Sequence, residues 1–193
     1  GKDEGTLAEQ LEMAIDEKTA AVTYVFGPWM DCALTLREVV AIAHAKDVPV
    51  IVDAAAMLPP ADNLTKYVAE GADLVTFSGG KGLRGPQSTG ILVGRADLVE
   101  AARLNMSPHA SVGRGSKVAK EEIAAVLVAL KRFVSMDHEA EWATWRGGSE
   151  TITASGRNFD GLRPVIEDGD PNRQGPTAVF YFDERWDGPS SKE

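Results

Sequence analysis

The stretch Phe77-Ser-Gly-Gly-Lys-Gly-Leu-Arg-Gly-Pro-Gln-Ser-Thr-Gly90 constrains this chain most, because it sets one lysine in a glycine-rich loop between two apolar runs, Asp73–Phe77 and Gly90–Val93. Lys81 is reached from a buried strand and flanked by Gly79, Gly80 and Gly82. An ammonium group so placed can be partly desolvated, which makes a lysine a usable nucleophile towards carbonyls. The glycines let backbone close in on a ligand. From spacing alone a second reading has equal standing, a solvated lysine on a flexible hairpin.

A second stretch, Pro49-Val-Ile-Val-Asp-Ala-Ala-Ala56, is a β-branched run that ends in an acid, so Asp53 sits at the C-terminal end of a strand. Between Asp53 and Lys81 there is room for one loop, one short helix near Asn63 to Glu70, and one more strand. Asp53 and Lys81 are therefore expected at the same edge of a largely parallel sheet, where ligands of open α/β folds collect. A lysine and an acid converging there suit pyridoxal 5'-phosphate: the amine bonds the aldehyde, and the carboxylate keeps the pyridine nitrogen protonated so that the ring accepts electrons.

The spaced set Val52-Asp-Ala-Ala-Ala56, Phe77-Ser-Gly-Gly-Lys81, Gly85-Pro-Gln87 and Gly90 resembles the fold type I pyridoxal-phosphate enzymes. More narrowly, it resembles the branch that holds bacterial selenocysteine synthase (seryl-tRNA selenium transferase) and ammonia-lyases acting on amino-sugar acid phosphates such as glucosaminate 6-phosphate. The resemblance runs from about Leu34 to Leu130. It implies that Lys81 bonds the cofactor, that Asp53 partners the pyridinium, that Ala55 lies against the ring face, and that Ser78 is a phosphate ligand. Gly80 departs from selenocysteine synthase, in which an acid precedes the lysine, and this weakens the transferase reading.

The implied fold is α/β, a mostly parallel sheet with helices on both faces, followed by part of a small α+β domain. Domain bounds of 1–147 and 148–193 are expected, on the change of character at Gly147-Gly148. The implied reaction is elimination from a β-hydroxy amino acid or amino-sugar acid: Lys81 takes the Cα proton, the β-hydroxyl leaves, and hydrolysis releases ammonia and a 2-oxo acid. Selenium transfer to seryl-tRNA shares the elimination step and is the near alternative. A catalytically silent relative that serves as an interaction subunit is the rival from another class.

Composition narrows the partners. A net charge of -9 argues against a generic nucleic-acid surface, though not against a local basic pocket or tRNA. Cys32 is the single cysteine, so no disulfide forms within the chain and a reducing cytoplasm is the expected home. No apolar run approaches about 18 residues, so no membrane span is expected. A small anionic substrate and a homo-oligomer complete the expectation.

Arg84, inside the lysine loop, and Arg114, between Gly113 and Gly115, are candidates for an anionic substrate group, with His109 as a weak companion. Each competes with the reading of a solvated loop residue. Gly79-Gly-Lys-Gly82 lacks the Gly-Lys-Ser/Thr ending of a nucleotide P-loop, and His138-Glu139 lacks the second histidine of a zinc-protease helix, with Trp142 in its place. No metal site is expected. His44 reads as structural.

Local signals place helices over Thr6–Lys18, with Thr6 as N-cap; Leu36–Lys46, with Thr35 and Glu38 as a capping box; Asn63–Val68, with Asn63 as cap; Ala96–Leu104; and Lys117–Met136. Thr19–Phe26, Val48–Val52, Asp73–Ser78 and Thr89–Gly94 read as strands, the last returning antiparallel. Thr151–Thr153 and Thr177–Phe182 read as short β-type runs. The chain reads as beginning partway through a domain and ending on a strand with no helix left to cover it. As 193 residues alone it is expected to be nearly inactive without further sequence or a partner.

Overall fold

The computed structural model describes residues 5–27, 34–168 and 175–189. Cys32 lies outside the described residues. Two compact units appear, 1–136 and 137–193.

The first unit runs α1 (Ala8–Ala14), β1 (Val22–Val25), α2 (Leu36–His44), β2 (Val50–Asp53), α3 (Asn63–Ala69), β3 (Leu74–Ser78), β4 (Gly90–Gly94), α4 (Ala96–Leu104) and α5 (Lys120–Val134). The strands form one sheet in the order β1-β2-β3-β4. β1, β2 and β3 are parallel, and β4 returns antiparallel beside β3, as the short loop between them requires.

Register fixes which side chains share a face. Val22 pairs with Val50, Tyr24 with Val52, Val52 with Val75, and Phe77 with Ile91. These residues form a continuous apolar face, because residues opposite one another on paired strands point the same way. Leu36, Val39, Val40 and Ala43 of α2 and Tyr67 of α3 join the same core cluster. Val50, Val52 and Val75 are fully buried. Each contributes about 1.5–3 kcal/mol of apolar burial. Tyr67 extends the core as an aromatic row, 4.5 Å from Phe26 and 6.4 Å from Phe77 between ring centroids.

Helix starts show which local signals hold. Thr35 caps α2 as its sequence predicts: its hydroxyl accepts from Glu38 N, and the Glu38 carboxylate accepts from Thr35 N at 2.8 Å. Thr6 does not cap α1. That helix starts after Leu7, whose backbone N–H donates to Gln10 Oε1 at 2.9 Å. Nor does Asn63 cap α3. It is buried as the first helical residue and its amide donates to the Met57 carbonyl at 2.6 Å, so it ties the Pro-rich loop to the helix instead.

His44 is structural, and its partner lies 29 residues away. The buried Asp73 carboxylate accepts from His44 Nε2 at 2.8 Å, from Val50 N at 2.7 Å and from Arg95 Nη1 at 3.0 Å. Burial alone pushes this carboxyl up. The hydrogen bonds from His44, Val50 and Arg95 outweigh burial and hold it below the usual carboxylate range. Asp73 thus joins α2, β2 and β3 to the residue that opens α4.

The second unit is α6 (His138–Gly156), β5 (Leu162–Glu167) and β6 (Thr177–Phe182), the two strands antiparallel. Two expectations are corrected here. Thr151–Thr153 are helical, since α6 runs unbroken through Gly147 and Gly148. Their β-branched side chains are accommodated because Thr151 and Thr153 donate to the Gly147 and Ser149 carbonyls, each at 2.9 Å. The strand pair is also not left uncovered: α6, which precedes it, packs against both strands, and a Cβ on Gly156 would lie 2.2 Å from the Phe180 ring.

Candidate active site

Asp53 ends β2, and its register partner on β3 is Thr76. Ser78, two residues on, ends β3. By strand alternation Asp53, Thr76 and Ser78 project from the face opposite the Val50–Val52–Val75 core, at the C-terminal edge of the two parallel strands. An acid and two hydroxyls therefore line one short step of the sheet. The Asp53 carboxylate accepts from the backbone N–H of Ala55 at 2.9 Å, which turns the chain back beside the strand end and leaves Ala55 half-buried. Thr76 is a residue that sequence reasoning passed over. Its position beside Asp53 depends on pairing between strands, which no local pattern encodes.

Lys81 follows β3 by three residues and is exposed. Its loop is a closed turn. Gly79 N donates to the Thr89 carbonyl at 2.8 Å, Gly85 N to the Gly79 carbonyl at 2.7 Å, and Thr89 Oγ1 to the Pro86 carbonyl at 2.7 Å. Arg84 N donates to the Lys81 carbonyl at 2.9 Å, with Arg84 itself in the left-handed region at φ 56°. The loop backbone is thus a hydrogen-bonded platform, while the Lys81 side chain is solvated and does not show the partial desolvation expected from its context.

Two close approaches explain the glycines. A Cβ on Gly82 would lie 2.0 Å from the Leu58 carbonyl oxygen, so the lysine loop rests directly on the loop that follows Asp53. A Cβ on Gly80 would lie 2.6 Å from Gln87 Cα. With Gln87 there, residue 80 has no room for an acidic side chain.

The loop also meets α5. Ser88 Oγ donates to the Glu122 carboxylate, which in turn accepts from Ala119 N at 3.1 Å. The hydrogen bond from Ser88, helped by the one from Ala119, holds the Glu122 carboxyl below the usual range. Behind the loop lies a cavity of about 310 Å³ that Gly82–Pro86 share with Ala125, Ala129, Phe133 and Met136.

Asp53, Ala55, Ser78 and Lys81 therefore belong to two adjacent strand ends and the loops leaving them. Arg84 belongs to the same loop as Lys81. Arg114 stands on a separate turn after α4. It opens a single turn of 3₁₀ helix, Arg114–Ser116, and its guanidinium donates to Ser107 Oγ at 3.2 Å. Among the described residues no cluster of three or more His, Cys, Asp or Glu is arranged to hold a metal, and no helix is long and apolar enough to cross a membrane.

This α/β frame, with its mostly parallel sheet, is that of the fold type I pyridoxal-phosphate enzymes. A pyridoxal-5'-phosphate-dependent protein from Escherichia coli shares the fold, with a TM-score of 0.57 and 24% identity over 91% of this chain and 45% of that one. The family model for L-seryl-tRNA selenium transferase matches residues 1–145, and the chain belongs to that family. A D-glucosaminate-6-phosphate ammonia lyase of Salmonella typhimurium is 35% identical over 162 residues, 82% of this chain and 37% of the relative. A solved D-glucosaminate-6-phosphate ammonia-lyase superposes with a TM-score of 0.67 and 29% identity, covering 95% of this chain and 47% of the other. The chain thus spans less than half the length of these relatives.

Proposed function

We propose that this chain forms the cofactor-binding part of a pyridoxal-phosphate-dependent lyase, which eliminates across Cα and Cβ of a β-hydroxy amino acid or amino-sugar acid phosphate and releases ammonia and a 2-oxo acid. The observation that carries this reading is the shared strand edge: Asp53 and Ser78 on one face, with the loop of Lys81 leaving the same edge. Similarity to the ammonia lyases over most of the chain supports the reaction class.

The residues fit the cofactor by their chemistry. Bound pyridoxal phosphate supplies an electron sink at the substrate Cα. Asp53 offers a carboxylate that holds a proton on a ring nitrogen, Ala55 offers a small apolar surface for the ring, and Ser78 offers a hydroxyl to a phosphate oxygen. Lys81 would supply the amine that holds the aldehyde and would move the Cα proton. Arg84 and Arg114 are the guanidinium groups for a phosphate or carboxylate on the substrate.

Selenium transfer to seryl-tRNA is the second reading, favoured by the family model. Against it stands position 80, where the turn made by Gln87 leaves no space for the acid expected before the lysine of those enzymes. The deciding experiment incubates the protein, in its natural full-length form with pyridoxal phosphate, with D-glucosaminate 6-phosphate and separately with seryl-tRNA and a selenium donor. Ammonia and a 2-oxo acid in the first reaction support the lyase. Product only in the second would replace it with the transferase, and product in neither would leave the interaction subunit.

A further inference from the structure

We propose that Gln87 is a positioning residue for Lys81, acting through the carbonyl of Gly80. The inference rests on the reading of Lys81 as the amine that bonds the cofactor. Gln87 Nε2 donates to the Gly80 carbonyl at 3.2 Å. That carbonyl belongs to the peptide joining residues 80 and 81, so holding its plane holds the direction in which the Lys81 side chain leaves the backbone. The next carbonyl, that of Lys81, is held by Arg84 N at 2.9 Å. Both peptide planes around Lys81 are therefore fixed, one by backbone and one by a side chain.

A side chain can position another group only from a fixed base, and Gln87 has one on each side. On one side the Pro86 carbonyl accepts both Thr89 N, at 3.1 Å, and Thr89 Oγ1, at 2.7 Å. On the other, Ser88 is bound to Glu122 of α5. The approach to Gly80 is also specific. A Cβ there would lie 2.6 Å from both Gln87 Cα and Gln87 Oε1, so the bond needs glycine at 80 as much as glutamine at 87. The Lys81 side chain itself is exposed, and an unsupported lysine chain has four rotatable bonds over which to spread its amine. Its orientation depends on this backbone platform, and a well-placed amine reacts faster than a wandering one.

The test uses pyridoxal phosphate as the probe. Gln87→Met keeps the length and removes the donor, while Gln87→Glu sets an acceptor against the carbonyl. Formation of the borohydride-reducible adduct is followed by absorbance, alongside thermal unfolding and peptide mapping of the reduced label. Both variants are expected to form the adduct roughly two- to tenfold more slowly, as loss of one neutral hydrogen bond allows, with the label still on Lys81 and turnover reduced at unchanged KM. Parent-like rates in both variants, with the label on Lys81, would overturn this inference and leave the reading of Lys81 intact. A lower unfolding temperature at an unchanged rate would make Gln87 structural and equally overturn it. A parent label on another lysine would instead sink the reading of Lys81, and this inference with it.

Discussion

Replacing Asp73 by alanine should be among the most costly single changes in the first unit, and the structure indicates why. The side chain is 5% exposed and its carboxylate takes three hydrogen bonds. Removing it strands the N–H of Val50, a residue with no exposed surface, and an abandoned buried donor costs about 1–3 kcal/mol. His44 and Arg95 are 43% and 54% exposed, so water replaces much of what they lose and their pairs add little. The expected loss is therefore about 1–3 kcal/mol, a large share of the stability of a marginal domain. In urea, with circular dichroism as the readout, the midpoint of the first unit should fall by about 0.5 M or more. A midpoint within about 0.2 M of the parent would refute the role assigned to Asp73.

The same site carries a pH signature of defined sign. Its folded carboxyl lies below the ordinary value, so its contribution is fully present above the unfolded value of about 3.9 and is lost as pH falls through the folded one. The gap in stability between the parent and Asp73→Asn should hold from about pH 6 to about pH 4 and close below that. A gap that widens on acidification would contradict the account.

Three further outcomes concern the site. Asp53→Ala should retain much of the cofactor affinity yet reduce turnover by about a hundredfold or more in steady-state assays, since an unprotonated pyridine is a poor electron sink. Gly82→Ala should lower both the unfolding temperature and the cofactor affinity in a titration, because its methyl meets the Leu58 carbonyl and the strain costs about 1–3 kcal/mol. Arg114→Ala should raise KM for a phosphorylated substrate by roughly ten- to a hundredfold, the value of one charge-assisted contact, while an uncharged analogue shows no change.

What could be read in the sequence was what short range determines. Val50-Ile-Val52 and Leu74–Phe77 declare strands, and the residues ending them, Asp53 and Ser78, follow directly. Thr35 and Glu38 are three residues apart and close a capping box without help from the rest of the chain. Thr151-Ile-Thr153 has the β-propensity of a strand, and it is helical because its hydroxyls find carbonyls one turn back while Thr153 is buried within the second unit. Asn63 has the chemistry of a cap and spends it on Met57, a partner that only the folded Pro-rich loop provides. The site divides the same way. Lys81 and Asp53 stand out by type and context, whereas Thr76 depends on the register of β2 with β3, and Gln87 on the closure of a loop.

The most direct measurement of the central claim is reduction of the protein with borohydride in the presence of pyridoxal phosphate, followed by peptide mapping. One label is expected, on Lys81, and it should disappear together with the absorbance band in Lys81→Ala. A label on Lys66 or Lys117, or a band that survives Lys81→Ala, would contradict that claim.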